Sequence, residues 1–165
     1  METLVERYLP ISRWIGVLLL AAAELTNRVW VALVFWRSGM NKVNANEFTL
    51  DYLFSTQHPV PPLSPELAAN LAIFGETVFP VLVILGLFGR WSAGALFLVN
   101  LVAYYGVVNG IALDASNWPN ASLALHHHYL YGVMLLFAAY RGPGLFSVDG
   151  IVQALYRRRA APAAD

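Results

Sequence analysis

Apolar residues in this chain come in long blocks rather than in alternation, separated by short polar breaks. From Leu67 to Phe88 the only charge is Glu76, and from Trp91 to Leu113 there is none. A third block, Leu123–Tyr140, is apolar apart from His126, His127 and His128. Crossing about 30 Å of hydrocarbon at 1.5 Å per residue takes roughly 20 mostly apolar residues in a helix. Each block therefore reads as a transmembrane helix.

The N-terminal pattern is less regular. Trp14–Ala23 is apolar, Glu24, Thr26, Asn27 and Arg28 interrupt, and Val29–Trp36 is apolar again. Either one helix runs from about Ser12 to Met40, or an interfacial or re-entrant helix precedes a span that starts near Leu25. The second arrangement is favoured. Glu24 and Arg28 stand at i, i+4, so they are expected to pair and lower the cost of burial.

The expected fold is all-α, an integral membrane four-helix bundle. Its spans are about 25–43, 67–88, 91–113 and 123–140, within a domain of residues 25–143. An N-terminal segment 1–24 precedes it, and an amphipathic and disordered tail, 144–165, follows.

The breaks carry their own signals. Asn44–Ser64 is polar and then proline-rich, and reads as a loop. Pro65 suits the first position of a helix, with Ser64 as its N-cap and Glu66 at the positive end. Gly89-Arg90 is short enough to make its two flanking spans antiparallel neighbours. Asp114–Asn120 reads as a loop with an interfacial Trp118. Arg141-Gly142-Pro143-Gly144 ends the last span. Leu145–Tyr156 then reads as an amphipathic segment at the membrane surface, followed by Arg157–Arg159.

Composition supports the membrane reading. Hydrophobic residues are 58% and charged residues 12%, against roughly 45–50% and 25% in soluble domains. Ten basic and ten acidic side chains cancel, so no field favours nucleic acid; the expected partner is the lipid bilayer. Cysteine is absent, which removes disulfides and thiolate chemistry. Glu2 and Glu6 make a poor positively charged leader, so the first apolar stretch is expected to be retained. Arg7, Arg13, Arg90, Arg141 and Arg157–Arg159 fall on one side of four spans, and Arg37 and Lys42 on the other. By the positive-inside rule both termini are expected in the cytoplasm.

Ionisable residues inside a bilayer cost roughly 2.5 kcal/mol or more each and mark candidate sites. Arg28, Phe35 and Lys42, spaced by seven, share one helical stripe. Phe35, Ser38 and Gly39 form a close-packing patch on it. The plainer reading is a packing face whose basic ends snorkel to water. Glu76 stands four residues before Pro80, which removes the amide that would bond the Glu76 carbonyl, so a kink is expected. A carboxylate and a freed carbonyl there suit a proton, a cation or a quinone oxygen. The competing reading is a structural bond to Arg28, Lys42 or Asn100. His126, His127 and His128 point about 100° apart on a helix. They are not a three-ligand site by themselves and read first as an interfacial polar cap. One or two could join His58, Glu76 or Asn100 at a metal.

These residues resemble a known family. Arg28 followed by Phe35-Trp36-Arg37-Ser38-Gly39-Met40-Asn41-Lys42 is similar to the first-helix signature of the DoxX family, an arginine followed by F-x-x-S-G-x-x-K. Pro61–Ala69, Glu76, Pro80, Gly86-Leu87 and Arg90 resemble its second helix and the turn after it. Trp118-Pro119 and Arg141–Asp149 resemble the closing section of one branch. The likeness runs in order from about Asn27 to Ile151; the Trp14–Ala23 stretch and the triple histidine depart from it. It implies a four-helix protein of the bacterial inner membrane, with relatives tied to quinone-linked sulfur oxidation, oxidant detoxification and metal stress.

Two functions are carried forward. The leading one is a redox-associated membrane subunit binding a quinone or similar lipophilic carrier, working with other membrane or redox proteins. Its ligand-binding candidates are Arg28, Phe35, Trp36, Ser38, Lys42, Glu76, Pro80 and Asn100, since apolar walls with a few convergent polar groups suit such a ligand. The other is a non-enzymatic protein of metal or oxidative stress, a partner scaffold or a metal or peptide carrier. Its metal candidates are His126, His127, His128 and His58. No catalytic residue is assigned.

Overall fold

The structure is a computed structural model that describes residues 2–114 and 118–160. Among the described residues it is all-helical, with six α-helices: α1 (Glu2–Val43), α2 (Glu47–Tyr52), α3 (Pro65–Leu85), α4 (Gly89–Leu113), α5 (Trp118–Arg141) and α6 (Val148–Ala160). The expected disorder of the last residues, 161–165, lies outside this range.

The N-terminal expectation is corrected. The two apolar stretches belong to one continuous helix, α1, of 42 residues, with no break near Leu25. Two causes are visible. Neither glycine nor proline occurs between Val17 and Ser38, so nothing local stops propagation. The polar interruption is also answered sideways, by neighbouring elements. Glu24 accepts from Arg141 at 2.7 Å, Asn27 Nδ2 donates to the Met134 carbonyl at 3.1 Å, and Arg28 donates to the carbonyls of Pro143 and Phe146. Glu24 thus pairs across to α5, in place of the expected bond to Arg28 within α1.

The helices start and stop for local reasons. Ser64 accepts from the Leu67 amide at 3.3 Å and Pro65 opens α3, as its residue types require. Gly86 closes α3 at φ 65°, the left-handed conformation that glycine adopts without steric cost. The reversal therefore lies at Gly86–Phe88, three residues before the expected Gly89-Arg90, and Gly89 already opens α4. The Asp114–Asn120 loop is also shorter than expected, because α5 begins at Trp118. Pro80 sits inside α3.

Four long helices pack side by side, with α1 and α4 each lying between α3 and α5. Long-range bonds give the directions. Arg28 of α1 lies at Gly86, just past the end of α3, and Lys42 at Glu76 within it, while Phe97 and Asn100 of α4 lie at Gly132 and His128 of α5, so these neighbours run antiparallel. Val31, Ala32 and Phe35 of α1 meet Val83 of α3, Ala93 and Leu96 of α4, and Leu135 and Ala138 of α5 in one buried core. Outward faces carry exposed Leu71, Phe74, Leu98, Leu101, Leu130 and Leu136, the inverse of a water-soluble surface. Three helices, Ser12–Val43 within α1, α3 and α4, are long and apolar enough to cross a membrane.

Candidate functional site

The segment expected to be a plain loop builds the site. Asn46 Oδ1 accepts from the Thr49 amide at 2.8 Å and caps α2. Then α2 runs straight into a π turn, Leu53–Gln57, closed by the His58 amide on the Leu53 carbonyl at 2.7 Å. Single π turns recur at functional sites. Phe54 packs on Ala68 and Ala69 of α3. On the other side the backbone at Gln57 and His58 lies directly on Gly110 and Gly106 of α4. A Cβ at Gly110 would collide with the Gln57 carbonyl. Asn109 Nδ2 fixes the seat, donating to the Pro59 carbonyl at 3.0 Å.

Between this segment, α3, α4 and the end of α1 lies a cavity of about 510 Å³. Its walls are almost wholly apolar, including Phe54, Leu71, Phe74, Phe79, Leu98 and Val102. Its ionisable lining residues are Lys42, Glu76 and His58. Lys42 Nζ donates to Glu76 Oε2 at 2.7 Å and to Ser38 Oγ at 2.8 Å. The side chains are only 16% and 6% exposed, so this is a buried ion pair beside an apolar space. It uses two of the three ammonium hydrogens. His58 Nδ1 is buried and has no hydrogen-bond partner among the described residues. Burial, and then the charge of Lys42, lower the His58 pKa and keep the imidazole neutral near pH 7.

Helix contact explains why Glu76 sits where it does. Pro80 supplies no amide for the Glu76 carbonyl, and Gly39 of α1 lies against that carbonyl. A Cβ on Gly39 would stand 2.8 Å from its oxygen. The glycine thus lets α1 approach closely and directs a Cα–H at the freed oxygen. This approach brings Lys42, one turn further along α1, to the Glu76 carboxylate.

The other sequence candidates are placed elsewhere. Ser38 lies behind Lys42. Arg28 is at the opposite end of α3, beside Gly86. Phe35 is in the core, edge-on to Tyr131 at 5.9 Å, and Pro80 is fully buried. Trp36, half-buried on α1, does not line the cavity. Asn100 is buried against α5, donating to the His128 carbonyl at 2.9 Å and meeting His128 Nδ1 at 3.0 Å. The histidines fan apart as their spacing requires: His126 turns back to the Ser122 carbonyl, His127 stacks on Tyr131 and His128 faces Asn100. Among the described residues no three His, Asp or Glu side chains gather as a metal site. The sequence reading held His58 as a metal candidate rather than as a cavity residue, and missed Asn109 as its support. A signal was available in Gly106 and Gly110, whose four-residue spacing marks a face built for close backbone approach.

Comparison with known proteins identifies the family. Residues 23–109 match the family model described as DoxX, just over half of the chain, and the chain belongs to that family. It is 26% identical over 129 residues to a Haemophilus influenzae protein named "Uncharacterized protein", a match covering 78% of this chain and 82% of that one. No solved structure matches. Family membership and three long apolar helices together make this a membrane protein in contact with lipid.

Proposed function

We propose that this DoxX-family protein holds a quinone, or a similar lipophilic carrier with a polar head, in the Lys42–Glu76 cavity and serves as a redox-associated subunit of the bacterial inner membrane. One observation carries the reading: an apolar space of about 510 Å³ whose wall presents a buried ion pair and the unpartnered His58 Nδ1. Small-molecule pockets of roughly 300–1,000 Å³, mostly apolar with a few placed polar groups, are the usual form. A buried polar atom without a partner costs about 1–3 kcal/mol, which a ligand oxygen at His58 would offset.

The residues suit a ring that carries two oxygens. Lys42 offers its third N–H to one of them, held in direction by Glu76 and Ser38. His58, in the Nδ1–H tautomer, offers a second. Phe54, Phe74 and Phe79 supply apolar walls. When bound, a quinone would supply two-electron, two-proton redox chemistry, with electrons exchanged through partner proteins. Access is from lipid, because Leu71, Phe74, Leu98 and Val102 both line the cavity and stand exposed on the outer face. In this reading α5, about 36 Å long at 24 residues, is a fourth span beside α4. The basic ends then place both termini in the cytoplasm.

The test is binding of decylubiquinone to purified protein in nanodiscs. Wild type binds, and both Glu76→Gln and Ala72→Trp, which puts an indole into the cavity, lose binding while keeping their elution volume. Binding unchanged in both variants would overturn the reading.

A further inference from the structure

The C-terminal helix is hydrogen-bonded to the body at its first turn and is exposed beyond it. Ser147 Oγ accepts from the Gly150 amide at 2.9 Å and starts α6. The Asp149 amide donates to the Gly86 carbonyl at 3.2 Å. Its carboxylate accepts from the Phe88 and Gly89 amides at 3.1 and 2.8 Å. That carboxylate therefore caps α4, where the helix dipole favours negative charge. Arg28 grips the carbonyls of Pro143 and Phe146 just before it. So α6 leaves the body at a defined point, the end of the molecule where Phe88, Trp91 and Tyr140 are strongly exposed. Such aromatic residues mark the boundary between hydrocarbon and headgroups.

Beyond that turn, every residue from Ile151 to Arg159 is exposed. Val148, Ile151, Val152, Leu155 and Tyr156 follow i, i+3, i+4, i+7, i+8 and make one apolar stripe. Gln153 and Arg157 occupy the opposite side. Arg157, Arg158 and Arg159 close the helix, three like charges in a chain whose net charge is zero.

We propose that α6 is a built-in anionic-lipid site. It lies in the interface of the protein's own bilayer, with Ile151, Val152 and Leu155 inserted among the acyl chains and Arg157–Arg159 against phosphate-bearing anionic headgroups. Three observations select this occupant. The stripe begins where the aromatic boundary lies, the Asp149 cap and Arg28 grip hold the helix at that depth, and the basic cluster complements acidic lipid. An apolar face with arginines beside it is the composition that interfacial helices use.

The absence of native cysteine allows clean single-site labelling of the full chain. Nitroxide at Val152→Cys or Gln153→Cys is read by collision with oxygen, which concentrates in lipid, and with a nickel chelate, which stays in water. In phosphatidylcholine vesicles containing phosphatidylglycerol, the position-152 label favours oxygen and the position-153 label favours nickel. Changing all three arginines to Gln shifts the position-152 label at least twofold toward nickel in those vesicles, and leaves it unchanged in pure phosphatidylcholine. Equal water access at both positions overturns the proposal. So does immersion indifferent to phosphatidylglycerol and to the arginines. Exclusion of both reagents, which reports contact with a second copy, overturns it as well.

Discussion

Breaking the Lys42–Glu76 pair from each side gives two different costs. In Glu76→Gln the ammonium keeps Ser38 Oγ. It is 16% exposed and one residue from the end of α1, so it can snorkel toward water. The expected loss is about 3 kcal/mol, the lower end for a buried pair stripped of one partner. In Lys42→Met the carboxylate is left only 6% exposed and mid-helix on α3. Its loss is about 5 kcal/mol. The double variant Lys42→Met, Glu76→Leu removes both charges and falls within about 1 kcal/mol of wild type, because apolar replacement of a whole buried pair is often neutral. Yet it loses decylubiquinone. The assay is equilibrium unfolding by SDS in mixed micelles, with all four proteins forming a double-mutant cycle. If both single variants cost under about 1 kcal/mol, the value for surface pairs, the pair is solvated and the argument for a dry polar site fails.

Further outcomes follow from the seat and the anchors. Gly110→Ala drives a methyl into the Gln57 carbonyl and costs about 1–3 kcal/mol as an overpacking change; limited proteolysis should then cut within residues 46–64 first. Arg28→Gln strips the Pro143 and Phe146 carbonyls of a charged donor and costs about 1.5–3 kcal/mol for each bond lost. Arg141→Gln removes a cation that is 39% exposed and leaves the Glu24 carboxylate 12% exposed, between a surface pair and a buried one, and costs about 1–3 kcal/mol, so the same unfolding assay should rank Arg28, which loses two charged bonds, above Arg141. Burial and Lys42 depress the His58 pKa in the folded state. The unfolded chain therefore takes up the proton first, and stability present above about pH 6.5 falls as pH drops through that value. His58→Gln should flatten this acid slope relative to wild type, measured as melting temperature between pH 7 and 5; an unchanged slope refutes the assignment.

Much of this protein is written locally. Long apolar blocks specify helices of membrane-crossing length, because each residue's preference for hydrocarbon and each backbone hydrogen bond is satisfied within its own segment. Ser64-Pro65 at the start of α3 and Gly86 at its end are equally local, since caps depend on neighbours a few residues away. The Arg28…Phe35…Ser38-Gly39…Lys42 stripe and Glu76 were legible for the same reason, as was the family they mark.

Partner choice was not local. Glu24 and Arg28 stand one turn apart, yet Glu24 turns to Arg141 and Arg28 to the chain beyond α5. Once the helices pack, a charge is better satisfied across an interface than along its own helix. The continuity of α1 rests on the same fact, because polar residues that would break a lone span are bonded from the side. His58 depends on tertiary structure most of all. Its sequence neighbourhood, a histidine before prolines, reads as loop. Only the docking of Gln57 and His58 on Gly106 and Gly110 carries it from the surface to the wall of the Lys42–Glu76 cavity.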